Sequence, residues 1–309
     1  MKTFIFYASF LYFPFILLAA IYLRKTTGLM RWITIGCVMA TSVLAYAMFV
    51  EPRLLRVVEA DIQLAGAQEE AGDEVRFLLF SDTHFGMFHN ALPVKRITER
   101  ARTLDFNAVL IAGDLVYHLP EDRIEQAFNR LNEFGKPVYI VFGNHDVGFP
   151  GPDLGLPLTG YLQSLDNVKL LQNRTEIFTV KGRDVWITGT SDLWQNRIEY
   201  PTENPPVGTP RIILTHNPDV AMLVPANVNY DILFAGHTHG GQIRIPGMYK
   251  SAIPSRYGFD RGLYQLDNDN RSGSPQIYIT SGTGMVGLPM RFLIPPQLDL
   301  VTIHLPPSS

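Results

Sequence analysis

The sequence predicts an α/β (α+β) protein, a two-sheet β-sandwich flanked by helices and preceded by two transmembrane helices. Short apolar runs of strand length recur along the chain. Several of them end directly in Asp, His or Asn residues suited to metal and proton chemistry. Before the first such run lie two uncharged stretches, each close to the ~20 residues a helix needs to cross a bilayer core. The 309 residues, 46% hydrophobic and 18% charged, suit one sizeable globular domain with a greasier attachment.

The first uncharged stretch is Thr3–Leu23, and after Arg24, Lys25 and Arg31 the second extends from Trp32 to Val50. A membrane hairpin is the expected form, dividing the chain into an anchor over residues 1–51 and a globular domain over 52–309. Two other forms fit less well. A buried hairpin of a soluble protein would not need two uncharged runs of this length, and a cleavable signal ending near Ala45-Tyr46-Ala47 would have one apolar region, not two. The short loop carries Arg24, Lys25 and Arg31, against Lys2, the amino terminus, Arg53 and Arg56 on the opposite side. That small bias points to a cytoplasmic loop and an extracytoplasmic globular domain.

Beyond the hairpin, Arg56 to Leu64 alternates apolar and polar residues as a half-buried strand does, and Gly66 to Gly72 is a polar turn. Val75 to Phe80 follows as a buried strand that delivers Asp82-Thr83-His84. A helix is expected from Pro93 to Leu104, a strand over Ala108–Ala112, then Gly113-Asp114. The pattern repeats with a helix over Glu121–Phe134, a strand over Val138–Phe142 and Gly143-Asn144-His145-Asp146. Strand, polar turn and helix in succession argue for parallel pairing with functional residues at the carboxyl ends of strands.

Pro150 to Pro157, rich in Gly and Pro, is expected as a loop over the site. Strand-like runs resume at Glu176–Val180, Asp184–Gly189, Arg211–Thr215 and Asp231–Ala235. The last two end in His216 and in Gly236-His237-Thr238-His239, and Gln276–Thr280 and Leu300–His304 supply closing strands.

The chemistry available is narrow. A net charge of −3 without a Lys/Arg cluster argues against backbone-driven nucleic-acid binding. One cysteine, Cys37, lies in an apolar run, which leaves neither a disulfide framework nor a thiolate metal site. Side chains of an extended segment repeat every second residue, so Asp82 and His84 can face one metal together. Imidazole mixed with oxygen ligands suits Mn, Fe or Zn better than Ca.

In order, Asp82-Thr83-His84, Gly113-Asp114, Gly143-Asn144-His145-Asp146, Thr215-His216 and His237-Thr238-His239 resemble the motifs of the calcineurin-like metallophosphoesterases. The resemblance implies a four-layer metallophosphoesterase fold and two divalent metal ions that hydrolyse phosphate esters or anhydrides. Asp82, His84 and His239 would hold the first ion, Asn144, His216 and His237 the second, and Asp114 would bridge them. A metal-bound hydroxide would attack in line, His145 would stabilise the phosphoryl oxygens or protonate the leaving group, and Asp146 would orient its ring.

Gly240-Gly241-Gln242, Gly262-Leu263-Tyr264, Ser281-Gly282-Thr283-Gly284 and Pro289-Met290-Arg291-Phe292 resemble a bacterial membrane-associated branch of that family. Pro296-Gln297 departs from the Pro-Glu usual there, which touches packing or substrate contact and not the metals. The branch implies phosphodiester or pyrophosphate substrates, including lipid-linked ones such as UDP-2,3-diacylglucosamine. A nucleotide sugar would require a cytoplasmic site, against the charge bias. Arg291 is a candidate phosphate partner because a guanidinium grips two oxygens at once, and His89 and His118 are candidates for substrate contact. Two alternatives stay open: a scaffold that lost the chemistry, and a protein phosphatase or nuclease using the same metals.

Overall fold

The computed structural model describes residues 2–67, 74–89, 91–266 and 275–306. Helix α1 (Lys2–Ala8) passes through a 3-10 turn, Ser9–Leu11, into α2 (Tyr12–Leu23). Pro14 has no N–H to bond the Phe10 carbonyl, and the chain tightens just before it. Helix α3 (Gly28–Ala45) runs on through a wider π turn, Tyr46–Val50, and a 3-10 turn, Glu51–Arg53. Thr3–Leu23 and Gly28–Arg53 are thus helical stretches of 21 and 26 residues, long and apolar enough to cross a membrane. Phe4, Leu11, Leu18, Leu29 and Trp32 stand exposed along them, apolar surface of the kind that a lipid phase covers.

The strands in chain order are β1 (Arg56–Gln63), β2 (Glu74–Phe80), β3 (Phe85–Gly86), β4 (Ala108–Ala112), β5 (Val116–Tyr117), β6 (Val138–Val141) and β7 (Val168–Leu170). Then come β8 (Arg174–Val180), β9 (Arg183–Gly189), β10 (Arg211–Leu214), β11 (Ile232–Ala235), β12 (Gly262–Gln265), β13 (Gln276–Ile279) and β14 (Gln297–His304). One six-stranded sheet has the order β1-β14-β2-β4-β6-β7, the other β12-β13-β11-β10-β9-β8, and β3 pairs with β5 alone. Both large sheets are mixed: β2, β4, β6 and β7 run parallel, as do β9, β10, β11 and β13, with antiparallel contacts at β14–β2, β12–β13 and β8–β9.

Alternation along each central strand builds the layers. Phe77, Leu79, Leu110 and Val141 point inward and meet Ile187, Ile212, Leu214 and Phe234 of the second sheet. Leu78, Phe80, Val109 and Ile140 point outward onto Ile97, Phe128, Leu158 and Leu162 from the helical layer. On the far side Ile213, Leu233 and Ile277 pack against Val220, Ala221 and Val224. That fourth layer is a 3-10 turn (Pro218–Met222) with irregular chain, not an α-helix.

Several expectations change. The helix over Glu121–Phe134 is three pieces, a 3-10 turn Glu121–Arg123, α5 (Ile124–Phe128, following α4 at Val94–Ala101) and a 3-10 turn Leu131–Phe134. Asn129 and Asn132 are poor helix formers, while Ile124, Phe128, Leu131 and Phe134 still reach the core from the broken path. The loop Pro150–Pro157 gives way at Gly155 to α6 (Gly155–Gln163), with Pro157 in the first turn where no N–H is needed. In β1 only Ile62, and Leu64 just after it, are buried, since the strand is an edge whose amino end projects from the sandwich. The turn Gly66–Gly72 lies partly outside the described residues.

Candidate metal centre

The motif residues converge because each follows the carboxyl end of a parallel strand: Asp82 and His84 after β2, Asp114 after β4, Asn144 and His145 after β6, His216 after β10, His237 and His239 after β11. The chain turns at once at these points. Asp82, His84, Asp114, His237 and His239 all have left-handed backbones, with φ of 54°, 47°, 52°, 70° and 51°. Such conformations cost about 1–3 kcal/mol each and persist where surrounding structure holds them. Close approach also demands Gly143, where a Cβ would lie 2.2 Å from Asp114 Oδ1.

Two groups of donor atoms share one carboxylate. In the first, Asp82 Oδ1 lies 3.4 Å from His239 Nε2 and 3.8 Å from His84 Nε2, and the two Nε2 atoms are 3.0 Å apart. In the second, His216 Nε2 lies 3.0 Å from His237 Nδ1 and 3.1 Å from Asn144 Oδ1. Asp114 Oδ2 joins them, 3.5 Å from His84 Nε2 and 3.2 Å from His216 Nε2. All seven residues are buried.

The donor set fits divalent cations. Asp82 Oδ1 is buried without a hydrogen-bond partner among the described residues, a costly state for a carboxylate oxygen unless a cation meets it. Burial pushes His84 and His237 down to about 3 and His239 well below the ordinary imidazole range, leaving neutral rings with lone pairs to offer. Burial would also lower His216, but the Asp114 charge and hydrogen bond outweigh it and hold the ring up at about 10. Asp114 in turn is raised by burial and lowered more strongly by His216, ending well below the usual carboxylate range. Burial raises Asp82 to about 7 against the pull of His216. His216 Nδ1 lies 2.8 Å from the Ala112 carbonyl, a donation that turns Nε2 toward the centre.

His145 stands at the edge of this cluster, one ring nitrogen close to His84 and Asp114. Its Nδ1 donates to the Pro150 carbonyl at 2.9 Å, and its ring meets Tyr117 edge-on at 4.8 Å. The expectation that Asp146 orients this ring is corrected. Asp146 accepts from Val116 N (3.0 Å) and Gly143 N (2.8 Å), so its carboxylate clamps the loop to β5 and the Pro150 carbonyl does the orienting.

Arg291 is likewise corrected as a phosphate partner. It is 0% exposed; Nε donates to Gly284 O (2.8 Å), Nη1 to Ile294 O (3.1 Å) and Nη2 to Ser281 O (2.9 Å) and Gly282 O (3.2 Å). Its guanidinium braces the loop whose Gly284 N donates to Asp82 O (2.7 Å) and whose Thr283 N donates to Ser81 O (3.0 Å). His89 is exposed beside Phe6 and Tyr7 of α1, at ring distances of 6.4 and 6.3 Å, because Phe88 turns inward in its place. This seats His89 against the apolar helix. His118 is exposed at the rim, its ring 5.0 Å from that of Tyr117.

Other contributors carry no motif. Ser81 Oγ donates to Asp82 Oδ2. Glu51, at the end of the second apolar helix, accepts from Ile294 N at 2.6 Å, and Arg291 N donates to Ala47 O at 2.9 Å, so the helix end is wired into the Asp82 loop. Trp194 meets His237 edge-on at 5.5 Å and opens a cleft of ≈ 670 Å³ that Asn217, Arg256 and Tyr257 also line. The available sequence signal for Trp194 was a lone indole in a polar loop just past a strand.

A two-sheet sandwich with paired clusters of carboxylate and imidazole at its strand ends defines a candidate dinuclear metal protein. The sequence model of the calcineurin-like phosphoesterase family matches residues 75–241, more than half of the chain, and the chain belongs to that family. It is similar to the uncharacterized metallophosphoesterase YkuE of Bacillus subtilis (strain 168), 26% identical over 89% of this chain and 95% of that one. It is similar also to the phosphodiesterase YaeI of Escherichia coli (strain K12), 27% identical over 81% of this chain and 89% of the relative. A transmembrane protein with metallophosphoesterase domain from Danio rerio is 27% identical over 84% of this chain and 60% of its own length. The family uses divalent metals, and the clusters around Asp114 are suited to them.

Proposed function

We propose that this protein is a membrane-anchored, dinuclear-metal phosphoesterase that hydrolyses phosphodiester or pyrophosphate bonds, with residues 1–51 as anchor and 52–309 as catalytic domain. The observation that carries the reading is the position of Asp114 Oδ2, 3.5 Å from His84 Nε2 in one cluster and 3.2 Å from His216 Nε2 in the other. Asp82, His84 and His239 would hold one ion and Asn144, His216 and His237 the second, with Asp114 shared. Bound there, two divalent ions, Mn, Zn or Fe, would neutralise phosphate charge and activate the attacking water.

The chain's own groups do the rest. His145 Nδ1–H is committed to the Pro150 carbonyl, which leaves Nε2 to take or give a proton at the phosphoryl group or leaving oxygen. His118, on the rim, is within the region a substrate would cross. The name of the Escherichia coli relative supports diesters, and the exposed apolar helices support substrates met at a membrane surface, lipid-linked ones among them.

The test is hydrolysis of bis-p-nitrophenyl phosphate, p-nitrophenyl phosphate and UDP-2,3-diacylglucosamine by the full chain in detergent, with Mn, Zn or no added metal. Metal-dependent turnover of a diester or pyrophosphate is expected, with Asp114→Asn losing about 100-fold or more together with bound metal. Turnover of the monoester alone would replace the reading with a phosphatase. Two bound metals with no turnover of any substrate would favour a non-catalytic scaffold.

A further inference from the structure

The cleft beside His237 is larger than a phosphate requires. At ≈ 670 Å³ it falls in the range of small-molecule sites, and the Trp194 indole that lines it meets His237 of the second cluster edge-on at 5.5 Å, so one ring separates cleft from cluster. Trp194 and Tyr257 line it while 47% and 52% exposed. Aromatic faces left uncovered at the mouth of a site are stacking platforms.

The walls are fixed in advance. Asp192, buried, accepts from Trp194 N at 2.9 Å and sets the turn that carries the indole. Asp219, also buried, accepts from Ser255 Oγ (2.6 Å) and Arg256 N (2.8 Å), which ties the segment bearing Arg256 and Tyr257 to the 3-10 turn after β10. Asn217 Oδ1 accepts from Asp219 N at 2.9 Å, leaving the Asn217 amide hydrogens for a ligand.

The polar inventory discriminates between ring types. Sugar hydroxyls are most firmly held by carboxylates that accept from them in pairs, and among the described residues the one carboxylate lining the cleft, Asp219, already accepts from Ser255 and Arg256. What remains are flat apolar faces with donors, the Asn217 amide and the Arg256 guanidinium, which match the face and carbonyl oxygens of a nucleobase. We propose that this cleft is a nucleoside subsite: Trp194 and Tyr257 stack on the base of a nucleotidyl phosphoester while its phosphorus sits over Asp114. The assignment rests on the phosphoesterase reading above and adds the class of substrate.

The experiment compares thymidine 5′-(p-nitrophenyl phosphate) with methyl p-nitrophenyl phosphate, using the full-length metal-loaded protein in detergent and the variants Trp194→Ala and Tyr257→Ala. Calorimetric binding of thymidine 5′-monophosphate is measured alongside. Wild type should prefer the nucleotidyl ester, and the ratio of the two kcat/KM values should fall about tenfold or more in Trp194→Ala, chiefly through KM. Binding of the monophosphate should weaken in parallel in both variants. Equal losses on both esters, or no preference in wild type, would overturn the subsite. If neither ester turns over, the phosphodiester reading fails by itself, and the subsite is then decided by binding: dependence on Trp194 and Tyr257 sustains it, and indifference removes it.

Discussion

Arg291 and Asp146 show how a residue can belong to a functional motif and act only through its neighbours. Both types suggest catalysis in a sequence, and both turn out to spend their hydrogen-bonding capacity on backbone: four carbonyls for Arg291, two amides for Asp146. Which partner a charged side chain chooses is decided by chain segments far away in sequence, such as residues 281–284 and 294, and no local pattern encodes it. The candidate ligand positions were legible for the opposite reason, since Asp82, His84, Asp114 and His216 follow apolar runs directly and a strand end leaves little freedom. Arg291→Ala is expected to strand those carbonyls and loosen Asp82, destabilising the protein by about 2–5 kcal/mol in urea unfolding and weakening metal binding in an equilibrium titration. Retention of both properties would detach Arg291 from the site.

At the level of elements, strands with continuous apolar runs were visible in sequence, while β7, β12 and the two-residue pair of β3 and β5 were not, being too short to show a period. The single helix expected over Glu121–Phe134 failed because the apolar spacing persists through residues that do not favour helix. Strand β14 carries its own liability. Asp299, fully buried within it, accepts from Tyr278 Oη (2.8 Å) and Gln297 Nε2 (2.5 Å), yet burial pushes its carboxyl up to about 6. A folded pKa above the unfolded one means that the native state binds the extra proton, so stability falls as pH rises from about 4 to about 6. Asp299→Asn removes that dependence. The variant should gain on wild type across this window, by on the order of 2 kcal/mol at pH 7, as read from paired urea curves.

Across the whole molecule the two sheets meet through Phe77, Leu110, Leu214 and Phe234, and the candidate centre lies where both sheets end. Ligands from β2, β4 and β6 on one sheet and β10 and β11 on the other would make bound metal a staple between them. Chelation should therefore lower the thermal midpoint by roughly 5–15 °C, and an unchanged midpoint would argue that the metals bind elsewhere or not at all. That the motif residues follow strand ends was expected from the sequence, whereas their division between two sheets and the link to the apolar helices were not, because strand order is not written locally and Glu51 and Ala47 carry no signature.

That link has a consequence for how the molecule searches its surroundings. Glu51 ends the second apolar helix and is bonded to Ile294, three residues from the side chain that braces the Asp82 loop. With the helices in a bilayer, such a joint would restrain the globular head from swinging, and the height of its mouth above the lipid would be set, not sampled. Molecules drifting in the leaflet would meet that mouth by two-dimensional diffusion at constant elevation, whereas molecules in bulk would first have to reach the surface. In a bilayer the joint would make altitude a selectivity filter that acts before any pocket does.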